Sequence, residues 1–309
     1  MKKLSFVIPC YQSAHIIPDV TKKIAEIYAG QDYEIVLVND SSPDDTFGAI
    51  QKICEENPHV IGIDLSKNFG QHSAILAGLH EVSGDIIICM DDDGQTPPEE
   101  AYKLIEAVEA GHDIAIAKYQ HKKHSFLRNL GSKVNDKMAK ALIGKPRDLF
   151  LSSFVAFKPF IAKQICQYTF PYPYISGMLL RASNDIVNVE VNHKSREVGE
   201  SGYTFGKLMA LWFNGFTNFS LKPLRVATVL GIIIAMVGFL VGIYAVVVKI
   251  MNPDAPLGWA SMMSATVFIG GIILLLMGLI GEYIGRMFMG LNQQPQYVIR
   301  TKIKHEKEK

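Results

Sequence analysis

Short apolar runs alternate with helix-length amphipathic stretches through the first two-thirds of the chain. Leu4 to Pro9 reads as a strand, and Ile16 to Tyr28 has apolar positions at helical spacing. Tyr33 to Asp40 is a second strand that ends in polar residues. Ser42 to about Glu56 reads as a helix, with Asp44 and Asp45 placed near its positive end. Val60 to Leu65, Gln71 to Glu81 and Asp85 to Met90 continue as strand, helix and strand. This rhythm predicts an α/β domain built on a mostly parallel sheet covered by helices. Ligands of such sheets bind beyond the carboxyl ends of the strands, where Asp40 and Asp91 both fall.

The pattern changes near the end of the chain. Val226 to Val248 and Leu257 to Gly281 contain no charged residue, and each exceeds the roughly 20 apolar residues that cross a hydrocarbon core. Two buried helices of a soluble core are the alternative. The connector Lys249 to Pro256 carries Asn252, Pro253 and Pro256 as breakers, which predicts a helical hairpin. Lys222 and Arg225 precede the first span, and Arg286, Arg300, Lys302 and Lys304 follow the second. The positive-inside rule then puts both termini and the α/β domain in the cytoplasm.

Two further stretches suit a lipid interface. Phe126, Leu130, Val134, Met138 and Leu142 repeat at four-residue spacing, with Arg128, Lys133, Lys137 and Lys140 on the remaining surface. Packing onto the domain is the other reading of that helix. Tyr203 to Leu221, with Trp212, reads as an interfacial approach to the first span. The expected organisation is a domain over 1–202, an amphipathic segment over 203–225, two spans over 226–281 and a basic cytoplasmic tail over 282–309.

Composition narrows the classes. Hydrophobic residues make up 49% and charged residues 20% of the 309, which excludes a disordered chain and an all-membrane protein. A net charge of +1 argues against a nucleic-acid binder. Cys10, Cys54, Cys89 and Cys166 have no metal-ligand spacing and suit a reducing compartment. The N-terminal apolar run is cut short by Pro9, Tyr11 and Gln12, so it reads as a buried strand rather than a signal peptide.

The chemistry concentrates where the fourth strand ends. Asp91, Asp92 and Asp93 are followed by Gly94, Gln95, Thr96, Pro97 and Pro98. Adjacent carboxylates repel unless a cation offsets them, and side chains two apart on an extended end point the same way. Asp91 and Asp93 can therefore share a hard ion, Mg2+ or Mn2+, with a diphosphate completing its shell. A solvated acidic turn is the alternative. Asp40 can bind ribose or base, or cap the following helix. His72 can serve as a ligand or a base, or be a structural histidine. Arg196 suits bidentate phosphate binding, or lies in a plain solvated loop.

Together these segments resemble the family-2 glycosyltransferases that charge polyprenyl phosphates, a group including dolichol-phosphate-mannose synthases and bacterial undecaprenyl-phosphate sugar transferases with a two-span C-terminal hairpin. The resemblance runs from Val7 to Tyr11 through Val38 to Thr46, Asn68 to Ile75, Asp91 to Glu99, Arg196 to Tyr203 and Phe219 to Arg225, and ends at Gly281 to Arg286. It implies a Rossmann-like A-type glycosyltransferase domain that transfers a sugar, with inversion, from a nucleoside-diphosphate sugar to undecaprenyl phosphate at the bilayer. UDP-glucose is the favoured donor, and the product serves cell-envelope glycan modification at the bacterial inner membrane. The resemblance implies that Pro9, Tyr11, Asp40, Asp91 and Asp92 bind the nucleotide sugar and that Asp91, Asp93 and Gln95 hold the metal. It implies that Arg128, Arg196, Ser201 and Tyr203 handle the acceptor phosphate, with Asp91, Asp93 and Arg196 catalytic. A homo-oligomer is compatible with it. Ser13, Asn39 and Val155 depart from residues common in the family, a glutamate, a second aspartate and an arginine.

Two other readings belong to different classes. A processive polysaccharide synthase would carry a Gln-x-x-Arg-Trp motif and more spans, and the sequence shows neither. A non-enzymatic nucleotide-sensing membrane protein would have no need of the unbroken Asp91 to Gln95 pattern.

Overall fold

The computed structural model describes residues 2–92, 96–119, 149–192, 222–252, 258–292 and 294–305. The chain forms two compact units, Met1–Ala210 with Gln293–Lys309, and Leu211–Asn292. In chain order the first unit begins with β1 (Leu4–Cys10), α1 (Ile17–Ile27), β2 (Tyr33–Asn39), α2 (Thr46–Glu56), β3 (Val60–Leu65), α3 (Gln71–Leu79) and β4 (Ile86–Cys89). A 3-10 turn at Pro98–Glu100 leads into α4 (Ala101–Glu109), β5 (Ile114–Tyr119), β6 (Val155–Phe157), α5 (Pro159–Cys166), α6 (Ile175–Ala182) and β7 (Ile186–Val191). The second unit holds α7 (Lys222–Met251) and α8 (Trp259–Leu291), after which β8 (Ile299–Ile303) returns to the first.

One sheet of 8 strands runs in the order β7-β5-β6-β4-β1-β2-β3-β8. β4, β1, β2 and β3 are parallel neighbours, as is the pair β5 and β7. β6 runs antiparallel to both β4 and β5, so one half of the sheet is mixed. Every residue of β1 to β4 is buried, which explains why these strands read as mostly apolar runs instead of alternating ones. Successive side chains still part to opposite faces. Ile35 and Leu37 join the core under α1, α2 and α4, while Val36 and Val38 pack with Ala74 and Ala77 of α3.

Two expectations meet a different outcome. The second helix starts at Thr46, not Ser42. Asn39 Oδ1 accepts the Ser42 amide and Asp44 Oδ1 accepts the Thr46 hydroxyl, so residues 42–45 form a polar loop instead of a first turn. Residues 282–309 do more than trail as a tail. α8 continues to Leu291, and Ile299–Ile303 adds an antiparallel edge strand to β3. Its charged, outward-facing residues hide the strand pattern, since only Ile299 and Ile303 are turned partly inward.

In the second unit, α7 and α8 are 30 and 33 residues long. Their most apolar stretches, Ala227–Tyr244 and Phe268–Leu291, have mean hydropathy 2.4 and 2.0 and are not buried within the protein. Phe239, Leu274 and Leu291 are 70%, 71% and 81% exposed, in keeping with helices whose apolar surface faces lipid instead of water. At 1.5 Å per residue, α8 is about 50 Å long, so it outlasts a hydrocarbon core of roughly 30 Å. The helix thus carries on past Glu282, where the uncharged run ends. Phe126 to Ile143 and Tyr203 to Leu221, the expected interfacial segments, lie outside the described residues.

Candidate active site

The site is built where β1, β2 and β4 end side by side. Cys10 pairs with Asn39, and the β1–β4 ladder closes at Val7 and Cys89. Strand order reverses between β4 and β1, because β2 and β3 extend one way and β4 the other. Such a reversal leaves a crevice between the diverging loops. Pro9 is buried in β1 beyond the last β4 pairing, where a missing amide no longer interrupts that ladder. The thiols of Cys10 and Cys89, buried beneath the crevice, are pushed up by desolvation and stay neutral.

The loops beyond β1 and β2 are interlocked. Gln12 donates its amide to Ser42 Oγ at 3.1 Å, and the Ser13 amide reaches Thr46 Oγ1 at 2.9 Å. Gln12 and Ser41 hold φ at 58° and 53°, left-handed values that cost energy in residues with a Cβ. These side chain–backbone bonds hold that conformation in place.

The two described carboxylates of the acidic cluster have different surroundings. Asp91 accepts Gln71 Nε2 at 2.6 Å on one oxygen and the Ser153 hydroxyl on the other. Both donors are neutral, so they orient the carboxylate without cancelling its charge. Asp92 turns to β1, accepting the Tyr11 amide at 3.0 Å and the Ser13 hydroxyl on a single oxygen. Tyr11 itself is 47% exposed. Asp92, assigned by sequence to the nucleotide sugar, therefore also ties β4 to the β1 loop.

Asp40 is buried and takes two loop amides, from Phe69 at 2.7 Å and from Gly70 at 2.8 Å. Burial pushes its carboxyl above the usual carboxylate range, and the two amides pull it back. Its observed role is to brace the 67–70 loop rather than to cap α2, whose N-cap residue is Asp45. Asn39 donates to Asp64 at 2.7 Å. An aspartate here, the residue that the family resemblance implies, would set two carboxylates against each other.

Asp93, Gln95, Arg128, Arg196, Ser201 and Tyr203, the remaining site residues expected from sequence, lie outside the described residues. Among the described residues there is no group of three or more His, Cys, Asp or Glu side chains placed to hold a metal. Asp91 supplies the oxygen chemistry that a hard cation takes, already oriented, at the mouth of the switch crevice. Gln71 and Ser153, which aim it, were missed in the sequence because they come from other segments. His72 is placed on α3 with its ring edge-on to Tyr174 at 5.1 Å and its Nδ1 buried without a hydrogen-bond partner. Desolvation pushes its pKa down to about 4, so it stays neutral at physiological pH.

Comparison with known proteins gives concordant matches. Residues 5–164 match Glycosyl transferase family 2, and residues 222–287 match the GtrB C-terminal hairpin. The chain is 32% identical over 309 residues to an undecaprenyl-phosphate 4-deoxy-4-formamido-L-arabinose transferase of Klebsiella pneumoniae (strain 342), covering 98% of this chain and 94% of that protein. The enzyme of the same name from Enterobacter sp. (strain 638) is 31% identical over 303 residues, with 96% and 93% covered. Among solved structures, glucosyl-3-phosphoglycerate synthase from Mycobacterium tuberculosis, in complex with Mn2+ and UDP-glucose, superposes with TM-score 0.52. That match has 17% identity over 68% of this chain and 75% of the other, and establishes likeness of fold alone.

Proposed function

The chain belongs to glycosyl transferase family 2, and from that membership we propose the reaction its site performs. It transfers a sugar from a nucleoside-diphosphate sugar to undecaprenyl phosphate at the bacterial inner membrane. The observation that carries this reading is the oriented Asp91 carboxylate at the β4–β1 reversal, in a chain that also holds two membrane-length apolar helices. The chain enters α7 from the first unit and rejoins it to form β8, so an even number of crossings keeps both ends of the hairpin on one side. The basic flanks make that side the cytoplasm, where nucleotide sugars are available.

The acceptor is anionic near neutral pH, so the reaction needs no strong general base. Alignment and stabilisation of charge do the work. The β2 end around Asp40 and the Tyr11 loop hold the nucleoside, and Asp92 keeps that loop against β4. Asp91, with Asp93 and Gln95, is the set that would hold Mg2+ or Mn2+, which supplies charge neutralisation for the departing nucleoside diphosphate. Arg196 and Arg128, with Ser201 and Tyr203, receive the acceptor phosphate. In-line attack inverts the anomeric centre, UDP-glucose is the favoured donor, and the protein works as a homo-oligomer.

The test is a screen of radiolabelled nucleotide sugars, UDP-glucose first, against undecaprenyl phosphate with the full chain in nanodiscs. One sugar per lipid, lost on chelation, is the expected product. A polymer, or no lipid-linked sugar from any donor, overturns the reading. Full activity in the presence of chelator overturns the metal assignment alone.

A further inference from the structure

The strand that follows the membrane hairpin reaches into the site's foundations through one side chain. Arg300 of β8 donates from Nη1 to Asp64 at 3.0 Å and from Nη2 to the Ser66 carbonyl at 2.7 Å. Asp64 is buried at the end of β3, and its other oxygen accepts Asn39 Nδ2 at 2.7 Å. Asn39 in turn accepts the Ser42 amide at 3.2 Å, and Ser42 Oγ accepts Gln12. The Ser66 end of the fork anchors the loop whose Phe69 and Gly70 amides clamp Asp40. A second bond, from the Ser66 amide to the Val298 carbonyl at 2.8 Å, ties that same loop to the approach to β8. Two routes from Arg300 thus converge on residues 39–42, which the proposed function assigns to the nucleoside.

We infer that Arg300 is a positioning residue for nucleotide binding, holding the Asp40–Ser42 end of β2 in register through Asp64, Asn39 and the 66–70 loop. This rests on the reading of that end as the nucleoside pocket. The arrangement is directional rather than merely cohesive. The Arg300 side chain is 56% exposed, and solvent screening limits what its charge adds to stability. Its planar fork nevertheless fixes two acceptors at once, a geometry that lysine reproduces only as a point charge. Asn39 suits the relay because it donates to Asp64 while accepting from Ser42, which an ionised aspartate cannot do.

The experiment uses the full chain in nanodiscs. UDP, GDP, CDP and dTDP are titrated separately by calorimetry with Mn2+ present, and the tightest binder of wild type becomes the probe. Arg300→Gln is expected to weaken that nucleotide's Kd by about tenfold at unchanged stoichiometry, with Arg300→Lys in between. Hydrogen exchange at the Ser42, Phe69 and Gly70 amides is expected to speed up in Arg300→Gln, while amides of β1 keep their protection. A structural role alone would lower stoichiometry and leave Kd where it was. Unchanged Kd, or unchanged exchange at those three amides, overturns the inference. Failure of all four nucleotides to bind wild type instead overturns the nucleotide-sugar reading on which it stands.

Discussion

Asp92 accepts the backbone amide of Tyr11 at 3.0 Å, although 81 residues separate them in sequence. The bond crosses the point where strand order reverses, joining the first residue after β1 to the acidic run after β4. It also divides the acidic run by role. Asp91 is aimed by neutral donors on α3 and ahead of β6, while Asp92 spends one oxygen on the β1 loop. A crevice whose two lips are hydrogen-bonded together can present a nucleotide site without first collapsing.

Replacing Asp92 should therefore look structural first and catalytic second. Asp92→Ala removes the acceptor of the Ser13 hydroxyl and one of two acceptors of the Tyr11 amide, which keeps Ser13 Oγ at 3.2 Å, at a cost of about 0.5–1.5 kcal/mol. Asp92→Asn can still accept both through its single carbonyl oxygen and should cost less. Thermal unfolding of the two variants checks the order. Equal losses would mean that the charge, not the acceptor, matters.

The parallel core was legible because each of its strands is buried on both faces and so reads as a mostly apolar run, broken by Ser5, Glu34 and Asp64 within it. β4 announced the site by ending in charge. β6 is only three residues long and β8 carries Arg300 and Lys302, so neither offered a run to read. The roles of Asp40 and Asp92 were hidden for a different reason. Their partners, Phe69 and Gly70 or Tyr11 and Ser13, are brought to them by strand order, and a linear pattern carries no register between distant strands.

Asn39→Asp should be tolerated at low pH and punished at high pH. It places a carboxylate against Asp64, at a separation that is 2.7 Å in the present hydrogen bond. Such a pair folds best while sharing one proton, which raises its upper apparent pKa in the folded state. A raised folded pKa gives stability that is present at low pH and lost as pH rises through it. Melting temperatures near pH ~5 and ~8 should thus diverge from wild type mainly at the higher value. A loss independent of pH would refute the shared proton.

Gly78 sits where α3 crosses β1 and β2. A Cβ there would meet Val7 Cγ1 at 2.5 Å and Val38 Cγ2 at 3.3 Å. Gly78→Ala should cost about 1–3 kcal/mol through overpacking, despite alanine's better helix propensity. Denaturant unfolding reads this directly, and a stabilised variant would show that the helix can lift without penalty.

His72 makes acid sensitivity a local property. Its folded pKa of about 4 lies below the ordinary 6.5, so the unfolded state binds the proton more readily. Its contribution is complete above pH 6.5 and is lost as pH falls towards 4, amounting to at most about 3 kcal/mol. His72→Phe removes that titration while keeping a ring against Tyr174. The variant's stability should decline less steeply than wild type between those pH values. Superimposable profiles would exclude His72 as the group responsible.

Gln71 and Ser153 test whether aiming Asp91 matters to transfer. Each gives one hydrogen bond to a different carboxylate oxygen, so losing either leaves the other as a pivot. Gln71→Ala and Ser153→Ala should each lower kcat about tenfold while leaving the KM for undecaprenyl phosphate nearly unchanged. The double variant removes both donors from one carboxylate, so its loss should depart from the simple product of the two single losses. Raising Mn2+ should recover part of the single-variant loss, since a misaimed ligand weakens metal capture before it weakens chemistry. Single variants with wild-type kcat at low Mn2+ would show that the orientation of Asp91 is incidental.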